Sequence, residues 1–187
     1  MRFSRSYPHS ALPLYKEFSK PTLTYRNLQD LVIVAGHAIF LGNGLEKVEQ
    51  DDNWILEDFQ KGGHVRTFLN HIKKGIELAQ QNTKALLVFS GGQTRPAAGP
   101  MKNSHLIIDR MTTEEYARDS YENLLFSICR FREVTGHYPR NITVIGFEFK
   151  RKRFLDIHRA AIKFPLDRFT YIGIDSTGVK SNTVKVG

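Results

Sequence analysis

A chain of 187 residues with 41% hydrophobic residues and 13 Phe is sized for one folded domain, and excludes a disordered chain or two domains of ordinary size. Its single cysteine, Cys129, excludes an internal disulfide, and no run approaches the roughly 18 to 20 apolar residues of a membrane helix. Lys and Arg outnumber Asp and Glu by 27 to 19, and the formal charge of +8 favours anionic partners over cationic ones.

In chain order, residues 1–27 hold Pro8, Pro13 and Pro21 without a sustained period and read as an irregular arm. Leu31-Val32-Ile33-Val34-Ala35 is an unbroken apolar run ending at Gly36, the pattern of a strand covered on both faces. After the polar Gly42-Asn43-Gly44 loop, Val65, Phe68, Leu69, Ile72, Ile76 and Ala79 form one stripe at helical spacing. Ala85–Phe89 is a second strand, stopped by Ser90-Gly91-Gly92. Pro96 and Gly99-Pro100 predict a loop, and Thr112 or Thr113 is expected to cap a helix that carries Tyr121, Leu124, Leu125, Ile128 and Phe131 and ends at Gly136. Cys129, in that run, is expected to be a buried thiol. Ile142–Gly146 predicts a third strand, Lys152–Phe164 a basic helix and Phe169–Ile174 a fourth strand.

Strand and helix thus alternate, which implies a mainly parallel sheet covered by helices. Residues 28–176 make the α/β domain and 177–187 a flexible tail. Ligands of such sheets bind beyond the carboxyl ends of the strands. The residues standing there are Gly36-His37, Ser90-Gly91-Gly92-Gln93-Thr94 and Gly146 through Arg153. Glycines after a strand let backbone amides approach an anion, and the Ser90 and Thr94 hydroxyls add donors. His37 is placed to line the same pocket, and Lys150 and Arg153 to neutralise an anion in it. Glu122 and Asn123, one turn into their helix, are expected to face that basic stretch and orient a ligand's polar end, with Glu122 and Glu114 the candidates for acid–base work. The seven histidines show no zinc-ligand spacing, and no metal site is expected. Neither a Walker loop nor a dinucleotide fingerprint occurs.

Taken in order, Val34-Ala35-Gly36-His37, Ser90-Gly91-Gly92-Gln93-Thr94, Glu114 with Ser120-x-Glu122-Asn123, and Gly146-Phe147-Glu148-Phe149-Lys150 through Phe154 resemble the YdcF-like family, a domain of unknown function, in its fungal soluble branch. The resemblance spans roughly residues 30–174. It implies a Rossmann-like three-layer α/β sandwich with a pocket built from these segments, and it admits S-adenosylmethionine as a ligand. Two departures stand out. Lys150 replaces a histidine of many relatives, and the stretch from Gly99 to Thr112 is short by about a helix that bears an acidic motif in them.

The expected function is therefore binding of a nucleotide-like or phosphorylated small molecule at the carboxyl edge of the sheet, with turnover left open. Two rivals remain: a nucleic-acid module using Lys150-Arg151-Lys152-Arg153, and a non-catalytic scaffold with a degenerate site. A cytoplasmic setting is expected, with weak mitochondrial or nuclear targeting left open by the basic residues Arg2 and Arg5 and the 150–153 run; the oligomeric state is not readable.

Overall fold

Residues of β1 (Asp30–Ala35) alternate between two apolar faces and are buried from Leu31 to Ala35, so the strand can only be central. It is flanked in parallel by β4 (Ala85–Ser90) on one side and β6 (Asn141–Gly146) on the other. The computed structural model describes residues 23–36, 38–41, 47–56, 58–91 and 108–175. Beyond β4 lies β5 (Met111–Glu114) and beyond β6 lies β7 (Phe169–Gly173), giving a five-stranded, all-parallel sheet in the order β5-β4-β1-β6-β7. A short antiparallel pair, β2 (Ile39–Phe40) and β3 (Trp54–Ile55), stands apart from it.

The pleat sends alternate residues to opposite layers. Leu31 and Ile33 join Leu86, Val88, Ile142 and Val144 beneath α3 (Ser120–Thr135) and the helical segment after β6, where Leu124, Ile128, Phe131 and Phe154 are buried. Val32, Val34, Leu87 and Ile145 face the other way, against Ile72, Ile76 and Ala79 of α2 (His64–Gln81). Two helical layers around one parallel sheet make a Rossmann-like α/β fold, as expected. The order of the sheet reverses at β1, so its carboxyl end lies at the topological switch point.

Four of the expected strands are present within a residue of their predicted bounds. Two local expectations are corrected. Met111–Glu114 is a strand and not the start of a helix: Thr112 and Thr113 are β-branched, and β4 offers them an open edge to pair with. The helix begins later, where Asp119 accepts from the amides of Tyr121 and Glu122 at 2.8 Å each. Cys129 is exposed and not buried, because α3 buries Leu124, Ile128 and Phe131, and Cys129 lies about 100° round the helix from Ile128. Of the expected amino-terminal arm, Leu23–Arg26 form α1, a short helix; residues 1–22, the Gly42–Gly44 loop and the tail lie outside the described residues.

Gly75, in α2, sets how closely that helix approaches the sheet. A Cβ built there would stand 2.5 Å from Val34 Cγ2 and 3.1 Å from Leu87 Cδ1. Gly75→Ala would gain about 1 kcal/mol of helix propensity. It would also drive a methyl into a stiff β-branched neighbour, and overpacking of this kind costs about 1–3 kcal/mol. The net outcome expected is a lower denaturation midpoint in urea; an unchanged or raised midpoint would mean that the helix can lift away freely.

Candidate functional site

At the carboxyl ends of β4 and β5 three polar side chains are buried together: Ser90, Glu114 and Asn123. Ser90 Oγ donates to Glu114 Oε2 at 2.6 Å and lies 2.9 Å from Asn123 Oδ1 and 3.3 Å from the Asn123 carbonyl oxygen. Glu114 Oε1 accepts from the backbone amides of Tyr116 and Ala117 at 2.6 and 3.0 Å. A serine hydroxyl has one proton to give. With that proton on Glu114, the network closes when the Asn123 amide turns its Nδ2 toward Oγ, an orientation fixed by the bonding pattern rather than by atom positions.

The glycines beside this trio are engaged as well. Gly36 N donates to the Ser90 carbonyl at 2.5 Å, and Gly91 N donates to the Glu114 carbonyl at 3.0 Å. A side chain at Gly36 would meet Ser90 O at 2.9 Å, so glycine is what lets the end of β1 sit against the end of β4. The amides of Gly36 and Gly91 therefore knit the strand ends together. His37, Gly92, Gln93 and Thr94 lie outside the described residues.

Glu122 accepts from the Arg118 backbone amide at 2.7 Å and from the Arg118 guanidinium at 2.8 and 3.2 Å. These bonds hold its carboxyl below the ordinary carboxylate range. Asp119 caps the first turn of α3, and Glu122 fastens the residue before that cap. Asn123, its neighbour in sequence, turns inward to Ser90.

The basic run after β6 divides. Arg151 bonds to Glu148 and donates to the Tyr171 carbonyl at 2.7 Å, while Lys152 and Arg153 are exposed. Lys150 is half-buried beyond the carboxyl end of β6, close to the exposed ring of Phe149. Burial, reinforced by the charge of Arg153, brings its ammonium from 10.5 down to about 8. Arg153–His158 are wound as a π-helix and continue into α4 (Arg159–Ala161). Such wide turns are rare and concentrate at functional sites.

Two histidines that the sequence reading passed over join this edge. His158 Nε2 lies 2.9 Å from Ser120 Oγ, and His71 Nε2 donates to the Ile174 carbonyl at 2.8 Å. Burial lowers the pKa of both; the charge of Arg153 adds to the effect at His158, and Lys150 lowers both further. Their positions were readable: His71 falls three residues after Phe68 on the buried face of α2, and His158 falls four after Phe154. Among the described residues no group of three or more His, Cys, Asp or Glu is arranged to hold a metal. A cleft of about 740 Å³ opens elsewhere, at the amino edge of the sheet. Residues 92–107, which follow β4 in sequence, lie outside the described residues.

No family model matches the chain, and no solved structure matches it. It is similar to a Saccharomyces cerevisiae protein described as uncharacterized protein YOR238W, at 28% identity over 214 residues, with 84% of this chain and 71% of the yeast protein covered. That span is longer than this chain's own 187 residues, so the yeast protein carries residues inside it that have no counterpart here. Among the described residues no helix is long and apolar enough to cross a membrane.

Two outcomes are expected. Ser90→Ala leaves the inward oxygen of Glu114 and the Asn123 amide without their shared partner, costing about 1–3 kcal/mol in chemical denaturation. Separately, His71 and His158 take up protons less readily in the fold than the ordinary imidazole at 6.5. Their contribution to stability is complete above that value and is lost as pH falls from it toward their lowered values. The thermal midpoint should drop between about pH 7 and pH 5, and His71→Gln should flatten that drop; an equal slope in the variant would show that His71 is not its source.

Proposed function

We propose that the carboxyl edge of the sheet binds a small phosphorylated or nucleotide-like molecule. The observation that carries this reading is the half-buried ammonium of Lys150 at the end of β6, with Arg153 close enough to repel it. Withdrawing the Lys150 ammonium partly from water beside the charge of Arg153 is unfavourable, and an anion between the two reverses the sign of that cost. In this reading Lys150 and Arg153 take the phosphate. Gly36, Ser90, Gly91 and Asn123 fix the floor of the site, and His37 and Gly92-Gln93-Thr94, which follow β1 and β4 in sequence, are assigned to its wall. Glu114 and Glu122 are held in place by their own partners, so the chemistry open to them starts from positioning.

The resemblance to the YdcF-like family supports a ligand at this edge, and similarity to an uncharacterized yeast protein adds no substrate to it. S-Adenosylmethionine remains a candidate by that resemblance. Its sulfonium and amino groups suit a pair of cations less well than a phosphate ester does. The nucleic-acid reading of the 150–153 run is less favoured, since Arg151 is spent on Glu148 and Tyr171 and Lys150 is half-buried, which leaves Lys152 and Arg153 as the exposed pair.

Calorimetric titration with AMP, glucose 6-phosphate and S-adenosylmethionine tests the reading. A phosphorylated ligand should bind at pH 7 and weaken as pH rises through about 8, where Lys150 gives up its proton, by up to about tenfold per pH unit. Lys150→Ala should bind weakly at every pH, and Lys150→Arg should bind without that loss, because a guanidinium stays charged. Failure of all three ligands to bind, or an identical pH profile in Lys150→Arg, would sink the assignment.

A further inference from the structure

We propose that the amino edge of the sheet, opposite the site just described, carries a second binding site for a phosphate-bearing anion. The cleft of about 740 Å³ that opens there is lined by Arg26, Lys84 and Arg140 together with Gln29, His137 and Tyr138, and among the described residues no acidic one is in its walls. Its size is that of a nucleotide-sized ligand.

The charges stand in a row fixed by the sheet. Asp30 pairs in register with Ala85 on one side and Asn141 on the other, so Lys84 and Arg140 occupy the positions immediately before those partners, on the two strands that flank β1. Backbone bonds tie the row together: the amides of Gln29 and Asp30 both donate to the Lys84 carbonyl, and Arg140 N donates to the Gln29 carbonyl at 2.7 Å. Two strand spacings separate Lys84 from Arg140, which sets their backbones about 10 Å apart. Long side chains on backbones so spaced can close on one multivalent anion, which a phosphate chain supplies better than a lone carboxylate.

These cations are also uncommitted. Among the described residues none of Arg26, Lys84 and Arg140 enters an ion pair, whereas Arg118, Arg130 and Arg151 all do. The neighbouring carboxylate, Asp30, instead accepts from the side-chain amides of Asn82 and Asn141, both at 2.7 Å. Among the described residues the Arg140 side chain reaches only Gln29 Oε1, at 3.2 Å. At the rim Tyr138 is 58% exposed yet held in place: the Arg132 guanidinium sits 4.6 Å from its ring centroid and donates to its hydroxyl. A fixed, exposed aromatic ring beside a row of cations is the combination that stacks a base and holds its phosphates. The shared chemistry is thus a nucleotide phosphate, whether from a free nucleotide or from a single strand of nucleic acid.

The site does not depend on the reading of the carboxyl edge, and one titration separates them. The intact chain is titrated calorimetrically at low salt with inorganic tripolyphosphate, ATP and a short oligothymidylate. At least one of these should bind. Lys84→Gln/Arg140→Gln should weaken that binding by about tenfold or more and lower the salt dependence by one to two charges, roughly the counterions released at the lost contacts. Arg26→Gln, whose side chain has no partner among the described residues, should weaken it without touching the fold. Lys150→Ala should leave it unchanged. Tyr138→Ala should weaken ATP and the oligonucleotide but not tripolyphosphate. Tighter binding of the oligonucleotide than of ATP identifies a strand as the source, and the reverse identifies a free nucleotide; either stands with the proposal. No binding of any probe, or equal affinity in the folded Lys84→Gln/Arg140→Gln and Arg26→Gln variants, overturns it. Loss of binding in Lys150→Ala alone overturns it too, by returning the ligand to the other edge.

Discussion

The hydroxyl of Ser90 is the point on which the carboxyl edge turns. It is buried at the last residue of β4 and is bonded to the last residue of β5 and to a residue in the first turns of α3. Three elements that approach from different directions are thereby given one mutual position. The backbone continues the same constraint: the Ser90 carbonyl takes the Gly36 amide from β1, and the Glu114 carbonyl takes the Gly91 amide. Buried polar groups are costly when unpaired and rigid when fully paired. A chain that keeps a serine, a glutamate and an asparagine here, where leucines would fill the same layer, spends stability on a fixed edge.

The two ends of the sheet use charge differently. At the carboxyl end several cations are partnered or half-buried: Arg118 pairs with Glu122, Arg151 with Glu148, and Lys150 lies half-buried near the Phe149 ring. At the amino end the cations face water, and the acid among them is satisfied by amides. A formal charge of +8 describes the chain without describing either surface. The basic tetrad that dominates the sequence by eye is dispersed by a helical turn, and the row at Arg26, Lys84 and Arg140 is invisible until the strands are set side by side.

That contrast marks what was legible. The central strands could be read because a strand covered on both faces must be apolar nearly throughout: Leu31–Ala35 and Ala85–Phe89 are unbroken, and Ile142–Ile145 departs only at the β-branched Thr143. The edge strand β5 could not: four residues, Met-Thr-Thr-Glu, carry no period, and only the open side of β4 makes them a strand. Among site residues, Ser90, Glu114 and Asn123 were each singled out from their places after strands or in a first helical turn, but their convergence depends on the β4–β5 register, which pairs Ser90 with Glu114. Glu122 illustrates the limit. Its neighbour Asn123 points inward while Glu122 bonds Arg118, a difference of one residue on a helix that sequence spacing did not settle. Cys129 failed for the same reason, displaced one position from the buried stripe.

The central place of β1 has a kinetic side. It is the first strand of the sheet to be made, yet its partner β6 begins 111 residues later, as the bond between Asp30 and Asn141 records. Until then an apolar strand designed for two neighbours has at most one. Loop closure over such distances is slow, and pairing of this kind places a fold among those whose assembly is limited by topology rather than by local propensity. During synthesis the half-built sheet would present the open flank of β1, a row of unpaired amides and carbonyls flanked by valine and isoleucine, to whatever is nearby. The same burial that makes β1 the most secure strand of the finished molecule makes it the most exposed one of the growing chain.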